Sequence, residues 1–134
     1  MATQGRKNVH GKGGVRFKSP YTKSKHESQL RNLVSTLIVD EKVSVSKGMV
    51  TDLIKLADRL VTYAKRNDLH GRRLAAAVLR RYIVDEKKGI LALDKLMDEL
   101  GPRYQDRQGG YTSALAMGNR RGDNAPIYLV TFVK

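Results

Sequence analysis

The sequence contains no cysteine, which excludes disulfide bonds, thiolate zinc sites and a cysteine nucleophile. Long apolar runs are also missing, because the longest, Leu74 to Leu79, is far shorter than the ~20 residues that cross a bilayer. No secretion-type apolar segment follows the N-terminal charges, and several glycines and Pro20 oppose the amphipathic helix of a mitochondrial presequence. We therefore expect a cytoplasmic protein without a membrane partner.

Acidic residues are scarce. The 134 residues include 26 Lys and Arg but 13 Asp and Glu, and the formal net charge is +13. This much charge of one sign repels itself unless an anionic partner neutralises it. Nucleic acid and an acidic membrane surface both carry such charge, and of these two candidates we expect nucleic acid.

The charge is concentrated in the N-terminal tail, which we define as residues 1–25. These residues carry few large apolar side chains, so they cannot offset an ordering cost of ~1–2 kcal/mol per residue. We expect an extended basic tail that becomes ordered on RNA, with aromatic side chains free to stack on bases. An inert solubilising extension is the alternative. The predicted RNA-binding residues of the tail are Arg6, Lys7, Lys12, Arg16, Phe17, Lys18, Tyr21, Lys23 and Lys25.

Residues 26–134 are predicted to form one globular α+β domain, with about four helices packed on a small three-stranded mixed sheet. Apolar residues at helical spacing indicate a helix from about His26 and a second over 47–66. A third is expected over 70–82, and a fourth, around residues 93–100, is expected to end at a left-handed Gly101 before Pro102. Strands are predicted at 43–45, 111–117 and 127–133.

The sequence offers little for catalysis. His10, His26 and His70 lack the spacing of metal ligands. The glycines around Lys12 do not match a phosphate-binding loop, and neighbouring carboxylates such as Asp98 and Glu99 do not face each other across a cleft. A hydrolase or transferase would need a carboxylate cluster or a nucleophile–base pair. We therefore expect no enzyme activity, catalytic residue, metal, cofactor or small-molecule substrate.

Paired arginines are the strongest chemical signal of the domain. Arg73 and Arg80 are two turns apart and are expected on one helical face. Arg120 and Arg121 lie in the connection Gly118 to Pro126, which is long for a hairpin. Its glycines predict unusual backbone angles, Asp123 is expected to brace the loop, and Pro126 is expected to begin an edge strand.

The segment from Leu100 to Pro126 also carries a family signature: Leu-Gly-Pro-Arg-Tyr at 100–104, then Gly-Gly-Tyr-Thr at 109–112 and Gly-Asn-Arg-Arg-Gly-Asp-Asn-Ala-Pro at 118–126. Further matches are His26 with Leu-Arg-Asn-Leu at 30–33, and Ala-Lys-Arg at 64–66 through Asp68 to the arginines at 72–73. Over about 26–133 the chain resembles the family of bacterial-type large-subunit ribosomal protein number seventeen.

The resemblance implies a structural, non-catalytic component of the large ribosomal subunit. Its implied partners are large-subunit ribosomal RNA, near the polypeptide exit region, and neighbouring ribosomal proteins. The predicted RNA-binding residues of the domain are His26, Arg31, Asn32, Arg72, Arg73, Arg103, Arg107, Tyr111, Arg120 and Arg121.

A DNA-binding architectural or regulatory protein is the alternative function. The two basic helices that meet at Asn67 and Asp68 can be interpreted as a helix-turn-helix. The third helix, however, is rich in alanine and arginine and has few of the Asn and Gln side chains that commonly contact bases.

Overall fold

The computed structural model describes residues 22–134, so the tail prediction for residues 1–21 lies outside the described chain. The elements follow in the order α1 (Lys23–Asp40), β1 (Lys42–Ser46), α2 (Lys47–Arg66), α3 (Leu69–Val78), β2 (Ile83–Asp85), β3 (Ile90–Leu91), α4, β4 (Thr112–Asn119) and β5 (Pro126–Phe132). Helix α4 consists of a helical turn Ala92–Lys95, a π-helical turn Leu96–Leu100 and a last turn Gly101–Arg103. Lys23 and Lys25 therefore belong to the first turn of α1 and not to an extended segment, because Thr22 caps the helix by accepting the amide of Lys25.

The α+β prediction is confirmed, and the three predicted strands form one sheet in the order β1–β5–β4. The sheet is antiparallel throughout, and not mixed as expected. The short β4–β5 connection makes one antiparallel pair, and β1 joins the opposite edge of β5 in the same orientation as β4. The β2–β3 hairpin is an additional two-stranded sheet that the sequence did not indicate.

The core lies between the helices and one face of this sheet. Six of the seven residues of the predicted apolar stripe of α2 are buried, namely Met49, Leu53, Ala57, Leu60, Val61 and Ala64. The seventh, Leu56, is partly buried against the core. Val130 and Phe132 of the central strand are buried as well. Each fully buried large side chain contributes about 1.5–3 kcal/mol to the free energy of unfolding. Helix α2 is therefore the central element of the core.

Helix α3 ends at Val78, before the predicted limit at Tyr82. The amide of Arg80 donates a hydrogen bond to Ser35 Oγ (2.9 Å), and Ser35 Oγ donates to the carbonyl of Arg31 (2.7 Å). This contact with α1 replaces the next intrahelical bond and turns the chain away. The expected common face of Arg73 and Arg80 is therefore wrong, because Arg80 lies beyond the helix.

Gly101 is helical (φ −55°), and not a left-handed stop. Its amide donates to the carbonyl of Leu96, five residues back, which makes the preceding turn a π turn. The wider turn accommodates the ring of Pro102, which would otherwise clash with a carbonyl of the previous turn. A Cβ on residue 101 would lie 3.1 Å from the carbonyl oxygen of Ala64, so glycine also permits the close packing of α4 on α2.

The β4–β5 hairpin is shaped as its loop residues predicted. Gly118 and Gly122 have φ of 103° and 98°, and Asp123 accepts the amide of Ala125 (3.2 Å). The strands extend further than expected, so the connection shortens to residues 120–125. Pro126 begins the central strand and not an edge strand, and it is tolerated because the β1 pairing stops at Ile127.

Candidate nucleic-acid interface

The predicted RNA-binding Lys and Arg side chains of residues 22–134 fall into two groups, those in ion pairs and those exposed without an ion-pair partner in that part of the chain. Arg103 belongs to the first group. It contacts Glu41 at 2.8 Å and Glu99 at 2.6 Å, while Lys95 approaches Glu41 at 3.2 Å and donates to the carbonyl of Val39. We call these four side chains, Glu41, Lys95, Glu99 and Arg103, the α4 ion-pair cluster. It ties α4 to the end of α1.

The electrostatics of Glu41 agree with this structural role. The Arg103 hydrogen bond, aided by Lys95, lowers the pKa of Glu41 from 4.5 to about 2, against the opposing effect of burial. Glu41 itself has a left-handed backbone (φ 59°) at the end of α1, and its carbonyl accepts the amide of Phe132. The predicted RNA-binding residue Arg103 is thus engaged in joining a helix end, a strand and α4.

Two further predicted residues, His26 and Tyr111, are buried, with 5% and 4% of their surface exposed. The Nε2 of His26 lies 3.2 Å from the carboxylate of Asp52 on α2. The hydroxyl of Tyr111 accepts a hydrogen bond from Lys65 Nζ (3.1 Å), and its ring packs 5.3 Å from that of Tyr104. Both side chains hold the domain together.

Asn32 and Arg107 make intramolecular hydrogen bonds at the surface. The Oδ1 of Asn32 accepts from Arg80 Nε (3.0 Å), which joins α1 to the segment after α3. Arg107 Nε donates to the carbonyl of Gly110 (3.1 Å). Arg107 remains exposed, and within the described chain its guanidinium has no acidic partner.

Each of the two predicted arginine pairs is split between the two groups. Arg72 forms an ion pair with Asp94 (2.8 Å), whereas its neighbour Arg73 is exposed. Arg120 pairs with Asp123, which lowers the pKa of Asp123 to about 2, whereas Arg121 is exposed. Neither Arg73 nor Arg121 has an ion-pair partner among residues 22–134. All four arginines are exposed, so it is the lack of an ion pair within residues 22–134 that leaves one arginine of each pair available to an anion.

Arg31 lies on a third exposed surface, beside a groove of about 390 Å³ between α1 and α2. Lys55 and Arg59 line the same groove, and sequence reasoning missed both. Their spacing of four residues, on the face of α2 opposite the apolar stripe, was the available signal. The groove also contains Glu27 and Asp52, so its charge is only moderately positive.

The predicted residues therefore separate by location. The predicted residues that are exposed cations without an ion-pair partner in the described chain are Lys23, Lys25, Arg31, Arg73, Arg107 and Arg121. Arg6, Lys7, Lys12, Arg16, Phe17, Lys18 and Tyr21 lie outside the described residues. The structure does not bring the exposed cations into one cluster, but distributes them over α1, α3 and the loops that flank β4.

Between positions 22 and 134, no group of three or more His, Cys, Asp or Glu side chains could hold a metal ion. None of the helices in that part of the chain is long and apolar enough to span a membrane.

The comparisons with known proteins agree with one another. Residues 29–133 match the family described as Ribosomal protein L17. The chain is 43% identical over 104 residues to the large ribosomal subunit protein bL17 of Halalkalibacterium halodurans, covering 78% of this chain and 87% of that protein. It is 41% identical over 112 residues to bL17 of Shouchella clausii, covering 84% and 93% of the two chains. The chain belongs to the ribosomal protein L17 family, and is a structural protein of the large ribosomal subunit.

Proposed function

We propose that the chain binds large-subunit ribosomal RNA through its N-terminal tail and through the exposed cations of the folded domain. The observation that carries this proposal is the separation of the cations into two groups on a chain of net charge +13. The domain residues assigned to RNA are Lys23, Lys25, Arg31, Arg73, Arg107 and Arg121, and the tail residues are those predicted above from Arg6 to Tyr21.

The N-terminus of α1 gives independent support. Its first turn contains no acidic residue. Lys23 and Lys25 instead add positive charge where the helix dipole is already positive. This arrangement is unfavourable for the isolated helix. A phosphate group at this end would be stabilised by the free amides, the dipole and both lysines together.

Phosphate neutralisation would supply most of the affinity. Arginine donates two parallel hydrogen bonds to a phosphate, and each neutralised phosphate releases counterions. Selectivity for one RNA fold would come from shape and from contacts to 2′-hydroxyl groups. In this mechanism Arg72, Arg103, Arg120 and Asn32 position the exposed cations, and they contact the chain itself more than the RNA.

The DNA-binding alternative finds no support in the fold. Helix α3 extends only from Leu69 to Val78, and Arg72 on this helix forms an ion pair with Asp94. The short helix therefore presents few side chains that could contact base edges in a major groove. The family, moreover, is ribosomal.

Filter binding tests the proposal directly. The full chain is titrated with large-subunit ribosomal RNA and with duplex DNA of equal length. The salt concentration is varied from about 50 to 300 mM, because the affinity of such complexes depends steeply on salt. We expect preference for the RNA, and a slope of log affinity against log salt of about −4 or steeper, at ~0.7–0.9 per phosphate. A slope near zero, or preference for the duplex, would refute the proposal.

A further inference from the structure

The face of the three-stranded sheet that points away from the helices has a distinct chemistry. Strand register places its side chains in three rows across β1, β5 and β4. The first row is Lys42, Thr131 and Ser113, the second is Ser44, Leu129 and Leu115, and the third is Ser46, Ile127 and the bulge at Met117–Gly118. We call these residues the outer sheet face.

Two of the most exposed large apolar side chains of the described residues belong to this face. Leu115 is 57% exposed and Met117 is 59% exposed. The sulfur of Met117 lies 3.7 Å from Ser44 Oγ, so its side chain reaches across the central strand and adjoins Leu129. Together these side chains form one continuous apolar patch in the second and third rows.

The outer sheet face is also almost free of charge. Lys42, at the far end of the first row, is its one ionisable residue, on a chain whose net charge is +13. A surface that contacts RNA carries cations for the phosphates, and this face lacks them. Its composition fits a protein partner.

The adjoining edge of β4 has free backbone groups. The amide of Val133 donates to the carbonyl of Tyr111, and hydrogen-bonded pairs alternate along an antiparallel ladder. Thr112, Ala114 and Ala116 therefore direct their backbone groups away from β5. The backbone amide of Thr112 has a partner, because the carboxylate of Asp58 accepts hydrogen bonds from this amide and from the Thr112 hydroxyl.

No strand of residues 22–134 pairs with that edge at Ala114 and Ala116. Strand edges in soluble proteins are normally protected by charged residues, by proline, by a β-bulge or by a covering element. The bulge of β4 lies at Met117–Gly118, beyond the regularly paired residues 112–116. Strand β4 reads Thr-Ser-Ala-Leu-Ala-Met-Gly-Asn and has no charged residue or proline. The edge and the apolar patch are contiguous, because both involve Leu115 and its neighbours.

We propose that an extended, largely uncharged segment of another large-subunit ribosomal protein docks here, adding a strand to β4 and placing alternate apolar side chains on Leu115 and Met117. Addition of a strand gives affinity through main-chain hydrogen bonds and specificity through alternate side chains. A second copy of this chain is disfavoured, because two chains of +13 repel each other. The proposal rests on membership of the ribosomal family, and not on the assignment of particular RNA-binding residues.

Site-specific photocrosslinking distinguishes the possible occupants. A photoreactive residue replaces Leu115 in one full-length variant and Arg121 in a second, and each is incorporated into large subunits. We expect position 115 to form adducts with a different ribosomal protein, and position 121 to form adducts with RNA. The inference would be overturned if position 115 formed adducts with RNA, with a second copy of the chain or with residues 1–21 of the same chain. It would also be overturned if position 115 formed no adducts while position 121 did. Failure of position 121 alone would count against the proposed RNA contacts and leave the docking surface standing.

A charge-insertion variant provides a second measurement. Leu115→Lys with Met117→Lys is compared with Leu69→Lys, which adds a lysine at a 64% exposed apolar residue on α3. Circular dichroism verifies that each variant folds. We expect the double variant to bind isolated ribosomal RNA at least as tightly as the parent, yet to show about a tenfold lower occupancy in large subunits, the size of effect expected when apolar anchors are removed. Unchanged occupancy in a folded double variant would contradict docking at this face.

Discussion

The α4 ion-pair cluster and the tip of the β4–β5 hairpin both contain cations, but they use them in opposite ways. In the cluster, Arg103 contacts two carboxylates and joins α4 to the end of α1. At the hairpin tip, Arg120 is paired with Asp123, but Arg121 has no ion-pair partner in the described chain. The comparison teaches that the number of cations in a region does not define an interface. The acids near them decide which cations stabilise the fold and which remain available to RNA.

Removal of residues 1–21 should have the largest effect on RNA binding. This segment carries Arg6, Lys7, Lys12, Arg16 and Lys18. With about 0.7–0.9 units lost per phosphate, the salt slope should become shallower by about 4. Filter binding of the truncated chain to ribosomal RNA measures the change, and a slope equal to that of the full chain would show that the domain alone supplies the contacts.

Glu41→Gln should have the largest effect on stability. The pKa of Glu41 is lowered to about 2 in the folded chain, from 4.5. Allowing for partial exposure, the ion pairs contribute about 2–3 kcal/mol at neutral pH. The unfolded carboxylate takes up a proton below pH 4.5, so this contribution is complete above that pH and is lost as the pH falls towards 2.

Urea unfolding at pH 7 and at pH 3 tests this prediction. The variant should lose about 2 kcal/mol relative to the parent at pH 7 and clearly less at pH 3, while its salt slope for RNA stays the same. A steeper RNA slope with unchanged stability would show that Arg103 and Lys95, once released from Glu41, contact the RNA, and would contradict their structural role.

Arg73→Gln and Arg72→Gln form a matched pair on adjacent positions of α3. Both remove one positive charge, but only Arg73 is free of an ion pair in the described structure. We expect Arg73→Gln to reduce the salt slope by about 0.7–0.9 and Arg72→Gln to change it much less. Equal reductions of the salt slope in the two variants would mean that ion pairing does not determine which cations contact RNA.

Asp123→Asn should have the smallest effect, in the opposite direction. The substitution releases Arg120 from its carboxylate partner, so one more cation becomes available at the hairpin tip. We expect the slope to steepen by less than one unit. Asp106→Asn, which removes an exposed carboxylate without an ion-pair partner in residues 22–134, is the control. Identical behaviour of the two variants would show that net charge alone is responsible.

Much of the fold could be predicted from local patterns. The bounds 47–66 of α2 follow from one apolar stripe, and the loop of the β4–β5 hairpin follows from Gly118, Gly122 and Asp123. What local patterns missed depends on distant partners. The end of α3 is set by Ser35 of α1, and the need for glycine at position 101 is set by the backbone of α2 at Ala64.

The candidate interface shows the same division. The presence of a basic surface was evident from the composition, but the role of each cation was not. Burial of His26 and Tyr111 results from contacts with Asp52 and Lys65, far along the chain. Likewise, Arg72 and Arg73 are equivalent in sequence, and only the position of Asp94 in the fold distinguishes them.

Arginine-specific chemical modification, read by mass spectrometry, can distinguish the arginines that stabilise the fold from those that contact RNA. The reactivity of each arginine is compared between the free chain and the chain within assembled large subunits. We expect Arg31, Arg73 and Arg121 to react in the free chain and to become protected in the subunit, whereas Arg103 should react weakly in both states. Unchanged reactivity of Arg73 and Arg121 in the subunit, with protection appearing instead at Arg103, would contradict it.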